Sequence, residues 1–435
     1  MVLNFNEAAN QIKRSSFQFS GLETELKNRA LAQIARDLMD HKDEILKANQ
    51  ADLRRSEQED LSKPLLKRLR FDEAKIDDAV DGILDLVKQE DPVGKTLLAT
   101  ELDEGLELYK VSCPMGVIGV IFESRPDALV QISTLCLKSG NCVLLKGGSE
   151  ARETNRALTK IIVRASRNAG IEQDWLALLD SRSHVDEMLK MEDCVDLIIP
   201  RGSKNFVRHI KDNSRIPVLG HADGVCHCYV DTDVDLGMAI KIILDSKIQY
   251  VAACNSIETL LIRGDIAPAF LPQFKNALEA SNVVLRGCDE TGKLIGIEPA
   301  DEVDWTTEYL DYKLAVKIVS SLDEAIEHIN RYGSHHTDVI LTNDATNAER
   351  FLSHVDSANV FCNCSTRFSD GFRYGFGAEV GISTGKIHAR GPVGLDGLLT
   401  YKYKLIGHGH IVGDYADHTR SFSHKKIRNV FHIDL

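Results

Sequence analysis

Residues 142–151 read Cys-Val-Leu-Leu-Lys-Gly-Gly-Ser-Glu-Ala, and this stretch decides the fold class. Cys142 to Leu145 form a short apolar run, which is typical of a strand buried on both faces. Two glycines follow and allow a tight turn, and a helical pattern then runs from 151 to 168. Because a buried strand that turns directly into a helix begins a βαβ unit, the stretch predicts an α/β protein with a parallel sheet.

The same alternation continues along the chain. The sequence has 435 residues, whereas one hydrophobic core seldom grows beyond ~250 residues, so two or more domains are expected. We predict two parallel-sheet α/β domains. Their further strands are expected at 195–199, 226–230, 257–262, 283–285, 314–319 and 337–341, and their helices at 22–57, 73–89, 233–245, 266–280, 322–331 and 345–355.

Composition argues against several functional classes. The formal net charge is −13, whereas nucleic-acid-binding proteins normally carry a basic patch. No run of ~18 apolar residues is present that would cross a membrane, and Met1 to Gln11 lack the apolar core of a signal peptide. We expect a cytoplasmic protein without nucleic-acid or membrane partners, whose ten cysteines are reduced.

Two turns after predicted strands are suited to phosphate groups. The first contains Lys146, Gly147, Gly148 and Ser149, and the second contains Arg201, Gly202 and Ser203. A helix start offers unpaired N–H groups and a positive dipole end, and glycine lets the backbone approach a ligand. Each turn also fits a plain strand-to-helix connection, the first capped by Ser149. Because the chain has neither a G-x-G-x-x-G fingerprint nor a Walker A loop, a nucleotide site here would be of another type.

A possible nucleophile lies in Ala252-Ala253-Cys254-Asn255-Ser256, between a predicted helix and a predicted strand. Small neighbours would let a substrate approach the thiol, and a thiolate is a strong nucleophile. The alternative is a buried core cysteine. Spacing alone favours that alternative, because cysteines are among the most buried residues.

Two other patterns have ordinary explanations. Gly381-Ile-Ser-Thr-Gly385 matches the G-x-S-x-G sequence of serine hydrolases, but no long helix follows its serine. His221, Cys226, His227 and Cys228 are metal-binding residue types, yet their spacing is that of a strand and not of a zinc site. We therefore predict neither a hydrolase nor a metal site.

Taken together, the motifs resemble those of the γ-glutamyl phosphate reductases, a branch of the aldehyde dehydrogenase superfamily. The resemblance runs from about Lys27 to about Gly409. Its specific stretches are Gly116-Val-Ile-Gly-Val-Ile-Phe-Glu-Ser-Arg-Pro126, Leu137-Lys-Ser-Gly-Asn141, Gly147-Gly-Ser-Glu-Ala151, Asp196-Leu-Ile-Ile-Pro-Arg-Gly202, Cys254-Asn255, Asn330-Arg-Tyr-Gly-Ser334, Ser365-Thr-Arg-Phe368, Gly377-Ala-Glu-Val-Gly-Ile-Ser383 and His388-Ala-Arg-Gly-Pro392.

The resemblance implies an aldehyde dehydrogenase-like fold with two α/β domains and a small oligomerisation flap. A discontinuous cofactor-binding domain is expected in 1–95 and 115–230, and a catalytic domain in 231–397. The flap would comprise 96–114 and 398–410, and 411–435 would be a surface extension. The flap also implies a homo-oligomer.

Roles for individual residues follow from the same resemblance. Cys254 would be the nucleophile, with Asn255 and Ser124 beside the oxyanion. Arg125, Arg367 and Arg390 would hold the substrate's phosphate and α-carboxylate, because a guanidinium can fork onto either group. NADPH would lie against Lys146, Gly147, Gly148, Ser149, Arg201, Gly202, Ser203 and, at the nicotinamide ribose, Glu308.

The chain also departs from the superfamily pattern. Where hydrolytic relatives carry Glu-Leu-Gly-Gly, it reads Leu219-Gly-His-Ala-Asp-Gly224, so the glutamate that activates water is missing. Ser124 replaces an oxyanion asparagine, Lys146 replaces a frequent arginine, and Tyr250-Val251 stands where the family usually has Arg-Pro.

These inferences predict NADPH-dependent reduction of γ-glutamyl phosphate to glutamate 5-semialdehyde in proline synthesis. Phosphate would leave as a thioester forms on Cys254, and glutamate 5-kinase would be the upstream partner. One alternative is an aldehyde dehydrogenase relative that acts on another acyl donor, against which the arginine-containing loops argue. The other is a catalytically silent binding or scaffold protein, against which Cys254 and both phosphate turns argue.

Overall fold

Residues 5–179 and 184–432 are described by the computed structural model. The chain divides into two compact units. The first comprises Met1–Gly202, His209–Val218 and Gly394–Leu435, and the second comprises Ser203–Arg208 and Leu219–Val393. Among the described residues, no helix is both long and apolar enough to cross a membrane.

Five helices open the first unit. The predicted helix over 22–57 is two helices, because the chain breaks at His41, whose N–H bonds back to the carbonyls of Asp37 and Met39. The apolar residues of α2 nevertheless face the core at helical spacing, as the sequence predicts. The five helices are α1 Phe5–Phe19, α2 Thr24–Asp40, α3 Lys42–Gln58, α4 Lys63–Leu69 and α5 Glu73–Lys88.

A parallel four-stranded sheet forms the centre of the first unit. It follows an antiparallel hairpin of β1 (Thr96–Asp103) and β2 (Leu106–Pro114). Its strands run in the order β5-β4-β3-β6, and every residue of β3 and β4 is buried. The strands are β3 Val117–Phe122, β4 Cys142–Gly147, β5 Leu176–Leu178 and β6 Leu197–Arg201, and the helices between and after them are α6 Pro126–Lys138, α7 Arg152–Asn168, α8 His184–Met188 and α9 Lys204–Asn213.

The second unit is built on a seven-stranded parallel sheet in the order β10-β9-β11-β8-β7-β12-β13. Both faces carry buried apolar side chains. Its strands are β7 Cys226–Val230, β8 Ile257–Arg263, β9 Val284–Gly287, β10 Glu298–Pro299, β11 Lys313–Val319, β12 Thr337–Leu341 and β13 Asn359–Cys362. Its helices are α10 Leu236–Ile248, α11 Ala267–Glu279, α12 Asp289–Ile295, α13 Leu322–Tyr332 and α14 Ala345–His354.

Two parallel sheets confirm the predicted α/β class, but one predicted boundary is wrong. The sequence-based boundary at residue 230 assigns β7 to the cofactor-binding domain. Its hydrogen bonds instead pair it with β8 and β12, so it belongs to the seven-stranded sheet. Sequence spacing could not show this, because a strand that ends one sheet and a strand that begins the next have the same apolar pattern.

The chain ends by completing the antiparallel sheet. After a hairpin of β14 (Gly381–Ser383) and β15 (Gly391–Val393), β16 (Leu399–Ile406) pairs with β2, so the two predicted flap segments meet in one sheet. Beyond α15 (Val412–Ala416), β17 (Lys425–Lys426) pairs with β1, giving the order β16-β2-β1-β17. The described part of the predicted surface extension is largely exposed, yet it contributes a strand to this sheet.

Candidate active site

Cys254 lies in a partly exposed turn, residues 250–256, between α10 and β8. The turn is closed by two backbone hydrogen bonds, from Ala253 N–H to the Tyr250 carbonyl (3.2 Å) and from Ser256 N–H to the Ala253 carbonyl (2.9 Å). All ten cysteines are free. Burial raises the pKa of the Cys136, Cys142 and Cys228 thiols, so these three are poor nucleophiles in comparison with an accessible thiol.

The segment 219–224 lies directly on the Cys254 turn. A Cβ atom at Gly224 would stand 2.1 Å from the carbonyl oxygen of Cys254 and 2.6 Å from its Cα. Only glycine therefore fits here. The N–H of Gly224 donates to the carboxylate of Glu308, whose pKa burial raises and nearby His221 partly lowers. The predicted cofactor residue Glu308 is thus held beside this same segment.

Two imidazoles converge on the thiol. One ring nitrogen each of His221 and His336 and the Cys254 sulfur all lie within 4.8 Å of one another. The two rings meet edge to face, with centroids 4.9 Å apart. His221 Nδ1 lies 2.8 Å from the carbonyl oxygen of Ile382, and His336 Nδ1 lies 2.8 Å from the Thr337 hydroxyl.

Sheet order explains this convergence. Gly224, Cys254 and His336 precede strands β7, β8 and β12, respectively, and these three strands are neighbours in the order β8-β7-β12. Because the strands are parallel, the segments that precede them meet at one edge of the sheet. The sequence analysis did not identify His336, since the strand order that brings it to Cys254 is not visible in local patterns.

The metal-type cluster considered from the sequence does not form in the structure. Within 5–179 and 184–432, the group whose donor atoms could hold a metal ion is His221, Cys254 and His336. Cys226 and Cys228 are buried in the core of the second sheet, and His227 is paired with Asp338 at 3.0 Å.

Arg367 is placed near the nucleophile by α10. Its Nε donates to the Gln249 side chain at 2.9 Å, and Thr366 N–H bonds to the Ser246 hydroxyl at 3.2 Å. The guanidinium is largely buried and interacts electrostatically with Cys254, while burial lowers its pKa. The side chain of Asn255 donates to the Ser369 carbonyl at 2.8 Å. Asn255 therefore fastens the Arg367 loop to the Cys254 turn.

Arg390, the third predicted substrate arginine, is paired with Asp356. Its guanidinium bonds to both the carbonyl and the carboxylate of Asp356, each at 3.1 Å. Lys386 binds the same carboxylate at 2.6 Å and, with Arg390, lowers its pKa. The substrate role of Arg390 stays a prediction, in which its guanidinium would have to leave or share Asp356 to meet the substrate. Arg125, in the first unit, is half-buried at the residue before α6.

In the first unit, the predicted nucleotide turn borders a small pocket before α7. The pocket is lined by Gly147, Gly148, Ser149, Arg152, Asn155, Leu178 and Leu179. A Cβ at Gly147 would stand 2.2 Å from Asn155 Nδ2, so a larger residue would close this space. The exposed Arg152, which the sequence analysis did not select, adds a cation there. The Lys146 ammonium is buried and donates to the Gly147 carbonyl.

Two further predicted residues are engaged within the chain. The N–H and hydroxyl of Ser124 both bond to the Glu150 carboxylate, at 2.6 Å and 3.0 Å, and Ser124 has φ 46°. Its hydroxyl would have to leave Glu150 to reach an oxyanion. At the second predicted turn, Arg201 ends β6, and Gly202 and Ser203 connect it to α9. Lys204 and Arg208 of α9 pair with Asp223 at 2.5 Å and 3.1 Å.

Comparisons with known proteins agree with this arrangement. The aldehyde dehydrogenase family model matches residues 7–303. The chain is 67% identical over 429 residues to γ-glutamyl phosphate reductase of Acetivibrio thermocellus, covering 99% of this chain and 100% of that protein. It is 65% identical over 431 residues to that of Pelotomaculum thermopropionicum, covering 99% of each.

Solved structures give the same relationship. The crystal structure of γ-glutamyl phosphate reductase from Thermotoga maritima superposes with a TM-score of 0.92 at 38% identity, covering 94% of this chain and 99% of that one. A lactaldehyde dehydrogenase at 16% identity, TM-score 0.62, shares the fold and covers 93% of this chain and 91% of its own. The chain therefore belongs to the aldehyde dehydrogenase family, in its γ-glutamyl phosphate reductase branch, and is an oxidoreductase.

Proposed function

We propose that this oxidoreductase reduces γ-glutamyl phosphate to glutamate 5-semialdehyde with NADPH and releases phosphate, as a step of proline synthesis. The observation that carries the proposal is the accessible Cys254 turn with the buried Arg367 fastened beside it. The name of the relatives with 67% and 65% identity supports the substrate. The reaction is proposed to take place in the cytoplasm of the cell, in a homo-oligomer, with glutamate 5-kinase as the upstream partner.

The first chemical step is acyl transfer to sulfur. The Cys254 thiolate attacks the acyl-phosphate carbonyl, the carbon–oxygen bond to phosphate breaks, and a thioester forms. Backbone N–H groups of the Cys254 turn would hold the oxyanion. Arg367, a largely buried cation near the sulfur, would hold an anionic group of the substrate, and Arg125 and Arg390 stay proposed for the other.

Reduction of the thioester needs a hydride, which a bound NADPH supplies. The small pocket before α7 supports this proposal, because its glycines let a ligand approach the backbone and Lys146 and Arg152 place two cations at the same turn. Ser149, Arg201, Gly202, Ser203 and Glu308 stay proposed contacts. The thiohemiacetal on Cys254 then collapses to the aldehyde and frees the thiol.

An assay in the oxidative direction tests the proposal. Purified protein with NADP⁺, phosphate and glutamate 5-semialdehyde should produce NADPH, followed by its absorbance. Aldehydes without the amino-acid head should react far more slowly; comparable rates would favour the alternative of a relative acting on another acyl donor. No NADPH with any aldehyde would favour a catalytically silent protein.

Phosphate dependence tests the chemical route in the same assay. Because segment 219–224 has no glutamate to activate water, the thioester should wait for phosphate as its acceptor. Phosphate-free buffer should allow a single-turnover burst and then stop. Steady oxidation without phosphate would mean that the thioester is hydrolysed and would contradict the phosphorylating route.

A further inference from the structure

We infer that His221 and His336 form a catalytic pair that carries the proton of the Cys254 thiol during the reaction. The inference rests on the proposed function, because it presupposes that Cys254 is the nucleophile. It adds a base where the sequence shows that the usual glutamate is missing. His221 belongs to the segment 219–224 that replaces the glutamate motif.

His336 is buried with one nitrogen unsatisfied. The residue has no exposed surface, and its Nε2 finds no hydrogen-bond partner in the described part of the chain. An unpaired buried polar atom has lost its hydrogen bonds to water without replacing them, so a position that keeps one requires an explanation. A nitrogen of this ring within 4.8 Å of the Cys254 sulfur supplies the explanation: a base that bonds the thiol or the reacting substrate oxygen.

His221 is held in the tautomer that a base requires. Its Nδ1 lies 2.8 Å from the Ile382 carbonyl oxygen. A carbonyl can only accept, so Nδ1 carries the hydrogen and Nε2 of the neutral ring is the acceptor. The edge-to-face contact between the rings fixes the second imidazole against the first, as expected for two groups that act on one proton.

The surrounding charges favour proton transfer from sulfur to imidazole. The carboxylates of Glu308 and Asp223 lie on the His221 side, with Lys204 paired to Asp223. Arg367 faces Cys254 from the loop after β13, and Cys226, with Glu258 near it, faces the Cys254 turn from β7. A nearby carboxylate stabilises an imidazolium and a nearby guanidinium stabilises a thiolate.

Protons are conserved in each step of the proposed reaction. The pair takes the thiol proton as sulfur bonds to the acyl carbon, and the departing phosphate carries that proton away. After hydride addition, a proton from solvent passes through the pair to the thiohemiacetal oxygen. On collapse, the carbon–sulfur bond breaks and the same proton passes from oxygen to sulfur. One solvent proton is consumed per aldehyde formed.

Alkylation of Cys254 by iodoacetamide tests the pair without requiring turnover. The rate of modification at Cys254 would be followed by mass spectrometry in the full-length protein between about pH 5 and pH 9, which spans the ordinary imidazole and thiol titrations. The variants are His221→Gln and His336→Gln. His328→Gln is the matched control, because His328 is also buried with Nε2 unpartnered but contacts His227, Trp305 and Tyr332.

In both test variants, iodoacetamide should modify Cys254 at least about tenfold more slowly near neutral pH. The reason is that a positioned base contributes roughly 10²–10⁴-fold to a catalysed proton transfer. Their rate profiles should move to higher pH, while His328→Gln follows the wild type. Wild-type profiles in both test variants, with unchanged circular dichroism and thermal transitions, would overturn the inference. A changed rate profile in only one of the two variants would show that the other histidine does not act on the thiol, and would overturn the proposal of a pair. Failure of the proposed function is separate: it would appear as turnover in Cys254→Ala.

Discussion

At the scale of single residues, Cys254 is partly exposed, unlike Cys136, Cys142 and Cys228, which are buried and whose thiol pKa burial raises. Replacing it by alanine should reduce turnover by a factor on the order of 10³ or more, because no other group can form the thioester. Binding of NADPH, measured by fluorescence titration, should persist. Cys228→Ala, which removes a buried core thiol, serves as the control and should change stability more than rate. Substantial turnover in Cys254→Ala at saturating substrate would contradict the thioester route.

The prediction that NADPH is preferred over NADH rests on Lys146. Its buried ammonium stands at the nucleotide turn, and its charge suits the 2′-phosphate that NADH lacks. Lys146→Ala should raise the Michaelis constant for NADPH roughly tenfold, equivalent to ~1.4 kcal/mol, and barely change that for NADH. Steady-state kinetics with both coenzymes would measure this. An equal loss with both would show that Lys146 supports the turn, as its bond to the Gly147 carbonyl would allow, and does not select NADPH.

At the scale of elements, the close contact between segment 219–224 and the Cys254 turn constrains the position of the nucleophile. A methyl group at Gly224 would meet backbone atoms of Cys254, which cannot rotate away. Gly224→Ala should therefore displace the sulfur, and a displacement of about 1 Å can cost ~10²-fold in rate. The measurement is the turnover number at saturating substrate, beside the thermal transition.

Gly292→Ala is the matched control for this change. Gly292 lies in α12 of the same unit, and its Cβ would meet the Ile297 carbonyl only at 3.7 Å, an ordinary contact. Alanine in a helix interior should leave activity unchanged and add up to about 1 kcal/mol of stability. If Gly224→Ala kept full activity, segment 219–224 would not position the nucleophile.

The sequence predicted which segments form helices and strands, but it did not predict which of these segments meet in the folded protein. Short apolar runs such as Cys142–Leu145 predict buried strands, because both faces of a parallel sheet are apolar, whereas apolar residues in a surface helix recur with the helical period. The sheet membership of β7 depends on hydrogen bonds to β8 and β12 that leave no local pattern. The same holds for the site. Cys254 and Arg367 were predicted through the resemblance, but His336 reaches Cys254 through strand order, and the pairing of Arg390 with Asp356 has no local pattern either.

At the scale of the whole molecule, the antiparallel sheet presents an apolar edge. In β16, Tyr401, Tyr403 and Leu405 lie on one face of the strand and are 48%, 60% and 54% exposed. An edge strand with exposed apolar side chains favours pairing with another chain. We therefore expect this sheet to mediate a homo-oligomer, as the flap prediction implies.

Substitution on that face tests the oligomer. The double variant Tyr403→Lys with Leu405→Lys should sediment as a smaller species than the wild type in analytical ultracentrifugation, because two buried charges would oppose the interface. Lys402→Glu, on the opposite face of the same strand, is the control and should keep the wild-type mass. An unchanged mass in the double variant would exclude this face as the interface.

The pairing of β16 with β2 also has a consequence for synthesis. Leu219–Val393 form nearly all of the second unit, so the seven-stranded sheet can close while the ribosome is still translating the remainder. The β1–β2 hairpin emerges much earlier, yet it is covered only when β16 pairs with it, aligning Lys402 with Val111, and when Phe431 packs edge to face against Tyr109. A nascent chain stalled after Val393 should therefore resist protease in the second unit and be cut in the hairpin. Chaperone binding during translation is expected to concentrate on that uncovered edge.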